Sequence, residues 1–195
     1  EIIFFITEFS FFKSHRLNLV KFLSKNYRQI LILTHVKAEE VEEINNLNLP
    51  NEVVIENFFV DRSSTGLVKN LLYLIRLFKV LLKKRPKSLY LVSSKPIILG
   101  GICSLLIPIK KVFFNISGLG YVFISQDFKV KIIRALVLMI YKVIFMNKRS
   151  KVIFQNKEDL NYFLDKKVVR QSRAVIIRGN GVDSNFFIRK DRPEK

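Results

Sequence analysis

The fold of this 195-residue chain is decided by the stretch Lys111-Val112-Phe113-Phe114-Asn115-Ile116-Ser117-Gly118-Leu119-Gly120-Tyr121-Val122-Phe123. Its first part is β-rich and apolar, two glycines one residue apart follow, and a basic helix is predicted from about residue 128. Such glycines allow a sharp turn and a close approach to the backbone. Ligands bind at the carboxyl ends of strands in an open α/β sheet, but Gly-x-Gly alone fits a plain connection equally well.

Apolar runs that read as strands alternate with helical patterns along the whole chain. Strands are predicted at 2–7, 29–34, 52–58, 88–92, 111–115, 151–155 and 174–178, and helices at 14–25, 38–46, 67–84, 97–106, 128–147 and 158–164. We expect one apolar face on helix 67–84, formed by Leu71, Leu74, Ile75, Phe78 and Leu81 or Leu82. This alternation predicts βαβ units, and therefore an α/β, Rossmann-like parallel sheet with helices on both faces.

Composition and charge restrict the class of protein and of partner. The chain is 49% hydrophobic and 26% charged, which indicates a folded globular protein. Its net charge is +18, and residues 61–195 carry 28 basic and 8 acidic side chains against 6 and 8 in residues 1–60. A one-sided positive field favours an anionic partner, which could be a membrane surface, a phosphorylated substrate or nucleic acid.

Cysteine usage and hydropathy indicate the compartment. A single cysteine, Cys103, excludes a disulfide within the chain, and we expect it to be a small buried residue in a protein of the cytoplasm. The apolar run 97–109 is shorter than the roughly 20 residues of a membrane span. The first six residues lack a basic leader and a cleavage site, so they read as a strand rather than a signal peptide.

Five polar residues near predicted strand ends are candidates for binding. Ser14 is a candidate N-cap, so His15 and Arg16 could face a phosphate or a sugar hydroxyl, although a solvent-facing histidine beside a cap fits as well. Arg62 follows the third predicted strand among hydroxyl residues, a setting that suits a diphosphate or a sugar. Lys95 follows the fourth strand in the same way. A solvated cap and a plain turn are the alternatives at these two places.

The helix predicted after the glycine loop is strongly basic. Residues 128–151 contain seven basic side chains and no acidic one, and Lys131, Arg134, Lys142 and Arg149 are expected on one side. This pattern is typical of a helix that lies on a membrane surface, and an ordinary core helix with a solvated basic face is the alternative. No metal-ligand cluster and no Ser-His-Asp arrangement is recognisable, so we expect no metal. Gly-x-Gly-x-x-Gly is absent after the first strand, which disfavours a dinucleotide-binding dehydrogenase.

Five short motifs, in this order, resemble those of a family-4 glycosyltransferase of the GT-B fold. They are Phe11-Phe12-Lys13-Ser14-His15-Arg16-Leu17; Lys95-Pro96 with Gly100; Gly118-Leu119-Gly120-Tyr121-Val122-Phe123; Val152-Ile153-Phe154-Gln155-Asn156-Lys157-Glu158-Asp159; and Gly179-Asn180-Gly181-Val182-Asp183 with Phe186 or Phe187 after it. The most similar subgroup builds bacterial surface polysaccharides, such as capsule and O-antigen, on undecaprenyl-diphosphate carriers.

This resemblance implies the N-terminal, acceptor-binding half of a retaining hexosyltransferase. Residues 1–188 would form the domain, 189–195 would begin a linker, and the C-terminal domain that binds the nucleotide-sugar donor would be absent, leaving this chain inactive alone. The protein would lie on the cytoplasmic membrane face and use neither a metal nor a cofactor. The expected cleft residues are Ser14, His15, Arg16, Arg62, Lys95, Gly118, Leu119, Gly120 and Tyr121, and the expected hinge residues are Asn180, Gly181 and Asp183.

The chain departs from this family in the loop after the fifth strand. Many relatives have a histidine there, where this chain has Ser117-Gly118-Leu119-Gly120, so the catalytic residue is unassigned and His15 is a candidate for it. Two alternatives stay open. One is a non-catalytic subunit that recruits a separate donor-binding protein to the membrane, and the other is a basic nucleic-acid-binding domain, which the sequence favours least because no nucleic-acid module is recognisable.

Overall fold

Seven parallel strands run through the centre of the molecule. The computed structural model describes residues 1–64 and 66–179. The strands are β1 (Ile2–Glu8), β2 (Ile30–His35), β3 (Val53–Asn57), β4 (Ser88–Val92), β5 (Lys111–Ile116), β6 (Ser150–Phe154) and β7 (Ala174–Ile176). Their order in the sheet is β3-β2-β1-β4-β5-β6-β7, and every neighbouring pair is parallel. The predicted fold class, an α/β Rossmann-like sheet, is confirmed.

The central strands form because their sequences are apolar on both faces. All five residues of β4 and the first six of β1 are buried, as expected where helices cover both faces of a parallel sheet. The register pairs apolar residues with apolar residues on the neighbouring strand, for example Ile2 with Ile30 and Phe4 with Ile32. The predicted strands begin and end within two residues of the observed ones because these apolar runs are short and bounded by polar residues.

Two helical layers enclose the sheet. The helices are α1 (Phe9–His15), α2 (Leu17–Ser24), α3 (Val41–Asn45), α4 (Leu67–Lys84), α5 (Ser94–Leu106), α6 (Tyr121–Ile124), α7 (Phe128–Ile144) and α8 (Lys157–Asp165). The first layer, α1 to α3, encloses an apolar core over β1, β2 and β3. The second layer, α4, α5, α7 and α8, encloses a larger core on the other face.

Helix α5 packs unusually close to its neighbours. It lies between α4 and α7, and two adjacent glycines allow the approach. A Cβ atom at Gly101 would lie 2.7 Å from the Cδ1 atom of Ile144 on α7, and one at Gly100 would overlap the side chain of Leu91 on β4. These positions therefore need glycine for packing rather than for backbone conformation.

The first helical segment differs from the prediction. A helix was expected at 14–25 with Ser14 as its N-cap, but α1 begins at Phe9 directly after β1, and the chain bends at Arg16 before α2. Phe9 and Phe12 are both fully buried, and their three-residue spacing fits one turn of helix packed on the sheet. Ser14 therefore lies in the last turn of α1, and the N-cap prediction was wrong.

Helices α4 and α7 also differ from their predictions. The expected apolar face of α4 is confirmed in part, because Leu81 is buried and Leu74 and Phe78 pack on the core. Leu77 also belongs to the core, whereas Leu71, Ile75 and Leu82 of the expected face are exposed. Helix α7 ends at Ile144, three residues earlier than predicted, so Arg149 lies in the turn before β6 rather than on the helix. Leucines occur on both sides of α4, so periodicity alone could not identify the buried side.

Some expectations fall outside the residues that the structure describes. The hinge residues Asn180, Gly181 and Asp183 and the domain boundary at 188–189 are among them. Within residues 1–64 and 66–179, no helix is long and apolar enough to cross a membrane.

Candidate functional site

The sheet topology places a crevice at the carboxyl ends of β1 and β4. β1 leads into α1 in one helical layer, and β4 leads into α5 in the other layer, so the chain diverges between these two adjacent strands. This is the topological switch point, where ligands bind in open α/β sheets. Glu8, Ser93 and the loop 58–64 after β3 lie at this edge of the sheet.

Lys95 lies in the first turn of α5 and holds the loop after β3. Its Nζ atom donates hydrogen bonds to the carbonyl oxygens of Asp61 and Ser64, both at 2.6 Å. Burial lowers the pKa of Lys95, and the negative charge of Asp61 opposes that effect. The side chain is thus engaged with the backbone of the loop, and the structure shows it as a residue that positions this loop.

Asp61 gives the same loop its shape. Its Oδ1 atom accepts hydrogen bonds from the Ser63 hydroxyl at 2.7 Å, the Ser63 amide at 2.9 Å and the Ser64 amide at 3.2 Å. These bonds, the Ser63 hydroxyl first, lower the pKa of the Asp61 carboxyl. Arg62 projects from this turn, and its exposed guanidinium lies 4.0 Å from the Glu8 carboxylate at the end of β1.

Ser93 has a strained backbone where β4 joins α5. Its φ of 72° and ψ of 168° fall in a region that is populated almost only by glycine. The Ser93 amide donates to the carbonyl of Asn115 on β5, and its carbonyl accepts from Ile97 in α5. Strain of this kind costs about 1–3 kcal/mol and concentrates at functional sites. The strained backbone of Ser93 therefore points to the switch point as a functional site, and this argument does not depend on the sheet topology.

His15 and Ser14 lie together at the end of α1. The His15 Nδ1 atom is 2.6 Å from the Ser14 hydroxyl, which also lies 2.8 Å from the Ser10 carbonyl oxygen, and the imidazole stacks on Phe11 at 4.2 Å. The carbonyl can only accept, so the one hydroxyl proton is directed to it and Nδ1 carries the imidazole proton. Nε2 is then an acceptor that points away from Ser14.

A cavity of about 440 Å³ lies between α2 and the adjoining face of the sheet. His15 and Arg16 line one end, together with Asn115 of β5 and Gln155 after β6, and Leu19, Leu23 and Phe113 make the rest apolar. The Asn115 Nδ2 atom donates to the Tyr90 hydroxyl at 2.7 Å. Within residues 1–64 and 66–179, the buried Oδ1 atom of Asn115 has no hydrogen-bond donor.

Arg16 is a buried cation at the edge of this cavity. Only 4% of the residue is exposed, and its Nη1 atom donates to the His15 carbonyl at 3.0 Å. Burial lowers the pKa of Arg16, and the neighbouring Tyr90 acts in the opposite direction. Arg16 is therefore buried at the junction of α1 and α2, where it is the N-cap residue of α2, rather than in the first turn of a helix capped by Ser14.

The glycine loop has the conformation that the sequence predicted. Gly118 and Gly120 have φ angles of 132° and 69°, which other residues rarely adopt, and a Cβ at either would contact none of the residues that the structure describes. Leu119 between them is half-buried and packs on the larger core. This loop and Tyr121, the first residue of α6, follow β5 at the same edge of the sheet as the crevice.

Arg134 has a different environment from the other expected membrane-surface cations. Its Nε atom donates to the Val122 carbonyl at 2.8 Å, and its Nη2 atom donates to the Ser125 carbonyl. It thereby holds the α6–α7 connection against α7. Lys131 and Lys142 are exposed on α7, and Arg149 is exposed beyond its end.

The structure gathers most predicted site residues at one edge of the sheet, in two groups. Arg62 and Lys95 are joined through the loop after β3, and His15 and Arg16 share the cavity. Sequence reasoning missed the contributions of Asp61 and Asn115. Asp61-Arg62-Ser63 is a recognisable turn-forming sequence and could have indicated the first, whereas no local signal indicates Asn115. Within the described part of the chain, no group of metal-ligating residues is present.

Solved structures share this fold at low sequence identity. HepE from Anabaena, in complex with UDP and glucose, is 13% identical with a TM-score of 0.58, and the match covers 94% of this chain and 45% of that one. MurG from Acinetobacter baumannii is 13% identical with a TM-score of 0.54, covering 96% and 47%. A UDP-N-acetylglucosamine 2-epimerase from Rickettsia bellii is 10% identical with a TM-score of 0.61, covering 92% and 44%.

These likenesses establish the fold alone. The sequence matches no protein-family model and no curated protein. The chain spans less than half the length of each of these three structures, and its fold matches that part of their GT-B-type fold. Glycosyltransferases and epimerases both have this fold, so it does not by itself select an activity.

Proposed function

We propose that this chain is the acceptor-binding half of a retaining glycosyltransferase that elongates an undecaprenyl-diphosphate-linked saccharide in bacterial surface-polysaccharide synthesis. The nucleotide sugar is a substrate bound mainly by the other half, and neither a resident cofactor nor a metal is part of the proposal. The protein acts at the cytoplasmic face of the membrane. One observation carries this proposal, namely the exposed apolar and basic surface of α4 and α7.

The outward face of α7 is apolar where a soluble helix would be polar. At about 100° per residue, five of the six large apolar residues that are exposed on α7 form one stripe on the side opposite the buried residues Tyr141 and Ile144, and the sixth, Ile133, lies outside it. This stripe consists of Phe128, Ile132, Leu136, Met139 and Val143. Lys131 and Lys142 border the stripe on one side and Lys129 on the other. An apolar stripe bordered by lysines is the pattern of a helix lying in the membrane interface.

Helix α4 repeats this pattern on the same side of the sheet. Its exposed apolar residues are Leu67, Val68, Leu71, Leu72, Ile75 and Leu82. Helices α4 and α7 together carry nine basic residues and no acidic one. Both helices pack against α5, whose last residues Leu105 and Leu106 are also exposed. We name the outward faces of α4 and α7, with the end of α5, the bilayer surface.

The bilayer surface favours a lipid-linked substrate over the other activities. An epimerase acting on a free nucleotide sugar has no need of an exposed apolar face of this extent, and such faces mark interaction sites. Nucleic acid would be matched by basic residues alone and not by this apolar stripe. A membrane-recruiting subunit without catalytic residues fits the bilayer surface equally, so the carboxyl edge of the sheet has to distinguish that alternative.

The carboxyl edge offers groups suited to a saccharide diphosphate. Arg62 is an exposed cation on the loop that Lys95 holds, and the Gly118–Gly120 loop leaves its backbone open to a ligand. His15 Nε2 can accept a hydrogen bond from a sugar hydroxyl, and His15 is our candidate catalytic residue. Gly118, Leu119, Gly120 and Tyr121 would border the acceptor in this proposal.

A transfer assay tests the proposal. The protein is combined with its donor-binding half and given membrane vesicles that contain an undecaprenyl-diphosphate saccharide, together with a panel of radiolabelled nucleotide sugars. We expect label to enter the lipid fraction, and we expect H15A and R62A to reduce that transfer by at least tenfold. The matched control H35A removes the other histidine of the chain and should leave transfer close to wild type.

Three results would contradict parts of the proposal. Transfer that H15A and R62A leave unchanged would remove both residues from the acceptor site. Epimerisation of the free nucleotide sugar without label in lipid would replace the transferase proposal with an epimerase. Neither activity, with the donor-binding half drawn to vesicles by this chain, would favour the non-catalytic subunit.

A further inference from the structure

A second cavity, of about 400 Å³, lies at the opposite edge of the sheet from the proposed acceptor site. It is bordered by the end of α7, the end of α8 and the loop that leads into β7. Among the described residues, four basic side chains line it and no carboxylate does, and these four are Lys142, Lys167, Arg170 and Arg173. We name it the basic cavity.

The cations of the basic cavity lie on a well-packed base. Val168 and Val169 lie between Lys167 and Arg170 in the sequence, are each only 6% exposed and belong to the larger core. They therefore anchor the loop that carries the two basic residues. The Lys167 amide donates to the Leu164 carbonyl at 2.8 Å, and its positive φ of 53° closes the end of α8. Backbone contacts therefore hold the loop, and the charged groups of Lys167 and Arg170 are not needed to hold it.

Arg173 supplies a fixed cation on the wall towards α7. Its Nη1 atom donates to the Phe145 carbonyl at 2.7 Å and to the Asn147 carbonyl at 3.1 Å, which are at the carboxyl end of α7. This geometry holds the guanidinium plane in place. Within residues 1–64 and 66–179, none of the four basic side chains has an ion pair. Four like charges around one cavity repel one another, and an anion between them relieves that repulsion.

The basic cavity is continuous with the bilayer surface. Lys142 borders both, and the exposed side chain of Met146 extends the apolar stripe of α7 into the cavity lining. A ligand with an anionic head and an apolar tail would place its head among the four cations and its tail along Met146 and Val143. Diffuse attraction to a charged surface does not require such a cavity.

We propose that the basic cavity binds a phosphate group, and that the headgroup of an anionic phospholipid supplies it. The phosphate recognition depends only on the four cations and the packed loop. The lipid source rests on the membrane attachment in the proposed function. The bound lipid would orient the sheet on the membrane and is separate from the saccharide substrate at the carboxyl edge.

The test compares two charge-matched double variants. K167Q/R170Q removes two cavity cations, and K25Q/R28Q removes a lysine and an arginine at the same spacing, both exposed, after α2 in the other helical layer. Each protein carries methyl-labelled valine and is titrated with inorganic phosphate at constant ionic strength. Each is also floated with phosphatidylcholine vesicles, with and without phosphatidylglycerol. Thermal unfolding verifies that both variants remain folded.

We expect phosphate to shift the methyl signals of Val168 and Val169 in the wild type and in K25Q/R28Q, but not in K167Q/R170Q. Binding to vesicles with phosphatidylglycerol should weaken about 30-fold in K167Q/R170Q, since each basic residue near an anionic leaflet contributes about 1 kcal/mol. The control should remain near wild type. Binding to phosphatidylcholine alone should be the same in all three.

Other outcomes overturn the inference in identifiable ways. The absence of a valine shift with phosphate shows that the basic cavity is not a phosphate site. Shifts with phosphate but equal vesicle binding show that free phosphate, not a lipid, is the source. A wild-type protein that shifts with phosphate yet binds no vesicle contradicts the membrane attachment of the proposed function and leaves the phosphate site standing.

Discussion

Replacing Leu72 and Met139 with serine should detach the protein from anionic vesicles. Leu72 is on α4 and Met139 is on α7, at the middle of the two exposed apolar stripes, and 60% of each residue is exposed. Neither belongs to the buried core of the second helical layer. The double variant therefore removes apolar area from the bilayer surface and leaves the protein interior unchanged.

The exposed fraction gives the size of the effect. Complete burial of a leucine or methionine side chain contributes about 1.5–3 kcal/mol. At 60% exposure, transfer of each residue into the acyl boundary contributes about 1–2 kcal/mol, so the double variant should lose about 2–4 kcal/mol of binding free energy. At about 1.4 kcal/mol per tenfold, the vesicle affinity should fall at least about 30-fold.

Vesicle flotation with a lipid titration measures this affinity. The matched control is the double variant F22S/V41S, which removes residues that are 62% and 51% exposed in the other helical layer, on α2 and α3. It should bind like wild type. Equal binding of the two double variants, or a thermal unfolding transition lowered only in L72S/M139S, would refute the reasoning that the exposed faces of α4 and α7 enter the bilayer.

Three further predictions concern single positions. Ser14→Ala should move the neutral His15 ring away from the tautomer protonated at Nδ1, and nitrogen-15 spectra at alkaline pH report this; an unchanged tautomer would show that the hydroxyl does not set it. Gly101→Ala places a methyl group 2.7 Å from the Cδ1 atom of Ile144 and should lower the free energy of unfolding by about 1–3 kcal/mol in urea titrations; undiminished stability would contradict the close packing of α5 on α7. Burial raises the pKa of Cys103 to about 12, so iodoacetamide should label this thiol only after denaturation, and rapid labelling of the native protein is the contrary result.

The sheet was predictable because its strands are buried on both faces. Runs such as Ile2–Glu8 and Ser88–Val92 contain few polar residues, and alternation with helices implies parallel pairing. The carboxyl edge followed from the same topology, which is why Arg62, Lys95 and the glycine loop were expected there. These inferences need only the order of the elements along the chain.

The details of the site depend on contacts between distant segments. Lys95 was expected to face a ligand, but it binds carbonyls of residues 61 and 64, which are over 30 positions earlier in the sequence. The α1 prediction was wrong because Phe9 and Phe12 gain more from burial than the polar segment around Ser14 gains from a cap. The exposed stripe of α4 was missed because leucines on both sides of a helix leave its buried side undetermined by sequence.

The most direct measurement of the central claim is the affinity of this protein for vesicles that carry an undecaprenyl-diphosphate saccharide. Flotation is compared with otherwise identical vesicles that lack the carrier, across a series of salt concentrations. Our account predicts binding that weakens with salt and is at least tenfold tighter with the carrier, and it predicts that R62A abolishes this gain while leaving binding to carrier-free vesicles unchanged. Equal affinity for the two kinds of vesicle would contradict the claim that this chain binds the lipid-linked acceptor.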